Sequence, residues 1–97
     1  MVQRGDFGRM VRKLRKERGL TLEQVAKHLK THKGYISGIE NGKVNPPAVK
    51  MLRKLAAFYK QDTTWFLVQA CVEKMTADIR GYVWDAVTNW RQVAGAR

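Results

Sequence analysis

The chain is 97 residues long and holds one cysteine, two prolines and no long apolar run. Each shortage excludes something. A lone Cys71 cannot close an internal disulfide, and its place inside an apolar stretch reads as packing rather than redox chemistry. That stretch, Trp65 to Val68 with Ala70 to Val72, is far short of the roughly 20 residues needed to cross a bilayer. No secretory leader is read at the start, so a cytoplasmic location is expected, with no membrane partner. Few prolines, few β-branched alternations and many helix formers predict an all-α fold. The length suits one modest core.

Acidic side chains are also scarce, 8 against 19 Lys and Arg, for a net charge of +11. The imbalance is local. Residues 1–60 hold 15 Lys or Arg against Asp6, Glu17, Glu23 and Glu40, whereas residues 61–97 carry four of each sign. A basic segment joined to a neutral, aromatic-rich one predicts a polyanion footprint plus a separate packing surface. Solubility needs far less charge than this, and +11 costs self-repulsion. No nucleophile beside a base, no paired carboxylates and no glycine-rich phosphate loop are visible, so neither an enzyme nor a cofactor is expected. His28 and His32 are four apart, but a turn is predicted between them and no Cys or carboxylate completes a metal set.

Phe7, Met10, Val11 and Leu14 recur at helical spacing, and Arg9, Arg12, Lys13, Arg15 and Lys16 fill most of the remaining circumference. This first helix should stop at Arg18-Gly19-Leu20, where glycine can take a left-handed conformation. Thr21-Leu22-Glu23-Gln24 reads as a capping box opening a second helix, with Leu20 and Val25 as a hydrophobic staple and Leu22, Val25, Ala26 and Leu29 as its apolar face. After a break at Lys30-Thr31, Tyr35, Ile36 and Ile39 imply a third short helix ending at Asn41-Gly42. Its outward face is Lys33, Gly34, Ser37 and Gly38. Asn45-Pro46-Pro47 leads into a fourth helix, with proline in its first turn and Val49, Leu52, Leu55, Ala56 and Tyr59 as its buried stripe. A fifth helix, from near Asp62, is apolar nearly all round and so should be covered on more than one side.

The stretch GLTLEQVAKHLKTHKGYISGIENGK, from Gly19 to Lys43, resembles the helix-turn-helix of the Cro and phage-repressor family, the xenobiotic-response-element type. The likeness covers residues 7 to about 70. It implies a five-helix lambda-repressor-like domain over 1–72, with 73–97 as a C-terminal helical extension. It also implies that the third helix enters the major groove of double-stranded DNA while the second crosses the phosphate backbone. In that pose Lys33, Gly34, Ser37 and Gly38 face base edges, and Lys33 can donate to guanine O6 and N7. Backbone contacts are expected from Thr21, Leu22 and Glu23, from Asn41 and Lys43, and from Lys50 and Arg53. Tyr35 either meets a phosphate or a thymine methyl, or packs against the second helix. Arg15 and Glu40 stand where the family often has a partly buried ion pair.

Four positions depart from the family pattern. Lys30 replaces a turn glycine, Thr31 stands in place of an aliphatic anchor, and Gly34 and Gly38 put two glycines into the recognition helix. Those glycines either permit close approach to DNA or reflect a helix under no pressure for propensity.

Beyond residue 72, Ile79, Val83, Ala86, Trp90 and Val93 recur at spacings of 4, 3, 4 and 3, a two-heptad seam that needs a partner. It either folds back on the domain or pairs with a second copy. Dimerisation through Trp65, Val68, Val72, Ile79, Val83, Ala86 and Trp90 is the expectation, with Tyr82 and Trp84 off the seam. The resulting reading is a transcriptional repressor that binds an inverted-repeat operator as a homodimer. The alternative is an antitoxin-type DNA-binding protein whose C-terminal segment binds a different protein. RNA recognition is disfavoured because the aromatics fall in core stripes rather than on a stacking platform.

Overall fold

Local signals set the first three helices. In the computed structural model, which describes residues 5–44, 47–75 and 77–95 and no side chains at 77 or 93–95, α1 runs Asp6–Glu17, α2 Leu22–His28 and α3 Lys33–Glu40. The α2 capping box forms in full: the Gln24 amide N–H donates to Thr21 Oγ1 at 3.1 Å, and the Thr21 N–H donates to Gln24 Oε1 at 2.8 Å. Gly19 and Gly42, at φ 65° and 75°, supply the left-handed residues that end α1 and α3. The helix-turn-helix corner uses Lys30 for the same purpose, at φ 57°. A side chain with a Cβ in that conformation costs about 1 kcal/mol.

Three further helices follow: α4 Val49–Phe58, α5 Thr63–Val72 and α6 Ala77–Gly95. Every element among the described residues is helical, and none is long and apolar enough to cross a membrane. The all-α expectation, five helices plus a helical extension, is met. Val11 of α1, Val25 of α2, Ile36 of α3, Leu55 of α4 and Phe66 of α5 are all fully buried in one core. Burying each such side chain stabilises the fold by about 1.5–3 kcal/mol. Phe7 meets Phe66 edge-on at 5.3 Å, joining the start of α1 to α5.

Two contacts between residues far apart in the chain position the site. Gly8 lies where α1 crosses α3: a Cβ there would come 2.5 Å from the Glu40 carbonyl oxygen and 2.6 Å from that of Ile39. Only a residue without a side chain allows so close an approach. Glu73, just past α5, is buried and accepts hydrogen bonds from the N–H groups of Gly5 at 3.2 Å and Phe7 at 2.8 Å. Its carboxylate thus caps the first turn of α1, where the helix dipole favours an anion.

Several expectations about the second half are corrected. Val49 is 53% exposed, at the very start of helix α4, whose first core residue is Leu52. Pro47 precedes the N-cap Ala48 rather than occupying the first turn, and Asn45 and Pro46 lie outside the described residues. Cys71 is exposed, since the buried face of α5 is Phe66, Gln69, Ala70 and Val72. Helix α6 meets α5 through Trp84, off the seam, whose ring lies 5.2 Å from that of Trp65, and the seam residues Ala86 and Trp90 also face α5. The Arg91 guanidinium sits 4.0 Å over the Trp65 ring.

Candidate nucleic-acid interface

Helix α3 is held from behind. Glu40 is buried at its C-terminal end, where Arg15 of α1 donates through Nε at 2.8 Å and Nη2 at 3.1 Å, and Arg12 Nε lies 3.5 Å away. The third Arg15 nitrogen, Nη1, donates to the Leu20 carbonyl at 2.8 Å. One guanidinium therefore ties α1, the turn before α2 and the end of α3 together. The hydrogen bond to Glu40 raises the Arg15 pKa further above its ordinary value, outweighing the opposing cost of burial. The structure thus brings Arg15 and Glu40 into a bidentate pair.

The front of α3 is open. Lys33 is exposed, and a Cβ on Gly34 would meet nothing within 4 Å. Lys33 Nζ lies 3.8 Å from Glu23 Oε1 across the corner, an exposed pair that stabilises little. Ser37 is half-buried. Asn41, exposed at the C-cap, donates from Nδ2 to Ser37 Oγ at 3.1 Å and accepts at Oδ1 from Arg12 Nη2. Gly38 serves the loop that follows: its carbonyl accepts from Lys43 N at 2.8 Å and Val44 N at 3.2 Å, and a Cβ there would come 2.9 Å from Val44 Cγ2. Tyr35 is half-buried and packed against the core.

Of the remaining candidates, Thr21, Glu23, Lys43, Lys50 and Arg53 are exposed, and Leu22 is half-buried against the core. The predicted dimerisation surface divides. Ile79 and Trp90 are 49% and 59% exposed and Ala86 is exposed, while Trp65, Val68 and Val83 are half-buried. Val72 is only 3% exposed, because the start of α1 closes over this end of α5 at Glu73. The side chain of Val93 lies outside the described residues. An apolar recess of about 310 Å³ lies between α5 and α6, walled by Trp65, Val68, Ala86 and Trp90. Among the described residues no cluster of His, Cys, Asp and Glu could hold a metal, and His28 instead lies 4.7 Å from the ring of Phe58.

Sequence reasoning missed Gly8, Arg12 and Glu73 as parts of this arrangement. Gly8 interrupting an otherwise helical run was the one available signal. Nothing local marked the other two.

The corner of α2 and α3, backed by α1 and the α4–α5 pair, coincides with a known pattern: the profile of the helix-turn-helix domain family matches residues 8–70. The chain belongs to the helix-turn-helix domain family. The match starts in α1 and ends within α5, so α6 lies beyond the helix-turn-helix domain as the profile defines it. A curated relative, the uncharacterized HTH-type transcriptional regulator RghRB of Bacillus subtilis (strain 168), is 43% identical over 54 residues. That stretch is 56% of this chain and 39% of the relative, so the chain matches well under half of the relative's length. No solved structure matches the chain significantly.

Proposed function

We propose that this protein is a sequence-specific double-stranded DNA-binding transcriptional regulator, a repressor that binds an inverted-repeat operator as a homodimer. The observation that carries this reading is the exposed first half of α3, with Lys33 solvated and Gly34 facing open space, on a helix held rigidly from behind by Arg15 and Glu40. A bare glycine face beside a lysine lets the helix axis come close to base edges while an ammonium donates to guanine O6 and N7.

In this pose Lys33, Gly34 and Ser37 face the groove, and Gly38 lies at its far end. Lys43, Lys50 and Arg53 neutralise phosphates, and the first-turn N–H groups of α2 at Leu22 and Glu23 donate hydrogen bonds to them. The Glu23 carboxylate itself is repelled by phosphate and instead stays near Lys33. Tyr35, Thr21 and Asn41 flank the backbone. The segment before residue 61 carries all of the net charge, so a duplex is attracted to this side of the molecule.

A homodimer is supported by the exposed apolar side chains on α6, Ile79, Tyr82 and Trp90, on a segment with no net charge. Two copies carrying +11 each repel everywhere except at such a neutral surface. One module of this type buries only about 600–1,000 Å² on DNA, so a second half-site supplies the missing specificity. Selection of bound sites from a random duplex library at near-physiological salt tests the reading. An enriched inverted repeat with half-sites about 34 Å apart is expected. Salt-sensitive binding with no enriched site would overturn it, and an enriched single half-site would overturn the dimer alone.

A further inference from the structure

We propose that Arg12 is a positioning residue for base recognition: acting through Asn41, it keeps the Ser37 proton free for DNA, so that this position can read a base acceptor. The inference rests on the DNA-binding reading above and adds to it the polarity of one contact and the residues that set it.

The argument follows from donor and acceptor inventories. A guanidinium can only donate, so the atom of Asn41 that meets Arg12 Nη2 has to be the amide oxygen, Oδ1. That fixes the other end of the amide. Its NH2 group points at Ser37 Oγ, 3.1 Å away, and the hydroxyl accepts there. With one lone pair committed to Asn41, the Ser37 hydroxyl keeps its proton and one further lone pair free for another partner. Arg12 is itself oriented from the interior, its Nε lying 3.5 Å from Glu40 Oε1, a carboxylate that Arg15 holds at 2.8 and 3.1 Å. A buried charge thus sets the polarity of an outward hydroxyl three contacts away.

In the major groove guanine offers N7 and O6, adenine N7 and thymine O4 as acceptors, whereas cytosine offers only its N4 amino donor. A serine free to rotate its proton would tolerate either sort of edge. Were the Asn41 amide flipped, its oxygen would take that proton and leave only lone pairs for the groove, whereas the amide as held leaves the proton available to an acceptor edge. Asn41 also loses its freedom, since both ends of its amide are engaged.

The test is site selection from a random duplex library with the full chain and three variants. Asn41→Asp keeps the contact to Arg12 but has no N–H, so the Ser37 hydroxyl donates to the new carboxylate and turns its lone pairs to the groove. One operator position is then expected to shift by about three- to tenfold toward cytosine or adenine, whose amino groups donate. Arg12→Ala, which frees the amide to flip, should broaden the same position, and Arg12→Lys, also donor-only, should retain the original preference. Circular dichroism establishes that each variant is folded. An unchanged base profile for Asn41→Asp beside an enriched wild-type site would overturn this inference alone. Absence of any enriched site for the wild type would overturn the DNA-binding reading and this inference with it.

Discussion

Substituting alanine at Gly8 and at Gly34 makes the same chemical change in two helices and should move stability in opposite directions. Alanine in a helix interior is favoured over glycine by about 1 kcal/mol, and both sites collect that gain. At Gly34 nothing lies within 4 Å of the added methyl, so the gain stands alone. At Gly8 the methyl would sit 2.5 and 2.6 Å from two backbone carbonyl oxygens of α3, against an ordinary contact of 3.4 Å or more. Backbone cannot swing aside as a side chain can. Relief requires α1 and α3 to part by the better part of an ångström, which pulls Glu40 away from Arg15, now at 2.8 Å. Overpacking of this kind costs about 1–3 kcal/mol before the ion pair is disturbed. For a domain this small, 1 kcal/mol moves Tm by about 4–8 °C. Gly34→Ala should therefore melt about 4–8 °C higher than wild type, and Gly8→Ala should melt lower by at least a similar amount. Thermal melts followed by circular dichroism, all at one protein concentration, measure both. A Gly8→Ala protein at least as stable as wild type would refute the close helix crossing on which the site is built.

Lys30→Gly should raise stability by about 1 kcal/mol, because φ is 57° there, and the urea midpoint should rise with an unchanged slope. A lower midpoint would mean that the lysine side chain contributes more than its backbone strain costs. Tyr59 is buried with no hydrogen-bond partner for its hydroxyl among the described residues, and its pKa is pushed up to about 12 from 10.0, by burial first and then by Glu40, against Arg15 and Arg18. The folded chain holds this proton more tightly than the unfolded chain, so its stabilising effect is complete below pH 10 and is lost as pH rises toward about 12. Tyr59→Phe should escape that loss, and wild-type and variant urea midpoints that fall in parallel across this range would contradict it. Lys33→Ala should relax preference at one operator position by about 1–3 kcal/mol, whereas Lys43→Ala should weaken all sequences alike and lower the salt slope by about 1. Equal loss of selectivity from both would remove the distinction. Deleting residues 77–97 should lower operator affinity mainly by lowering dimer content, and a truncated chain that still sediments as a dimer would place the interface elsewhere.

Contacts between near neighbours were open to reading in advance. The Thr21–Gln24 capping box spans three residues, the glycine stops at Gly19 and Gly42 need only a left-handed φ, and the core stripes repeat every three or four positions. The pairing of Arg15 with Glu40 came from family resemblance, since nothing in either residue's neighbourhood announces a partner 25 positions away. The seam on α6 shows the limit of periodicity. Ile79, Val83, Ala86 and Trp90 lie on one stripe, yet Trp84 off that stripe packs on Trp65 of α5 beside Ala86 and Trp90 while Ile79 stays exposed, because a repeat does not declare which part of an apolar surface a neighbour will cover.

From sequence alone came the helical class, the corner between α2 and α3, the exposure of Lys33 and Gly34 at the start of α3 and the separation of a basic segment from a neutral one. Each depends on interactions within a turn or two of helix, or on charge simply counted along the chain. Tertiary structure decided the rest: that α1 approaches α3 closely enough to demand Gly8, that Glu73 caps a helix 66 positions earlier, and that Arg12 reaches Asn41 across 29. These contacts exist only when the core has closed, since burial brings distant backbone and side-chain polar groups together and then requires each to find a partner.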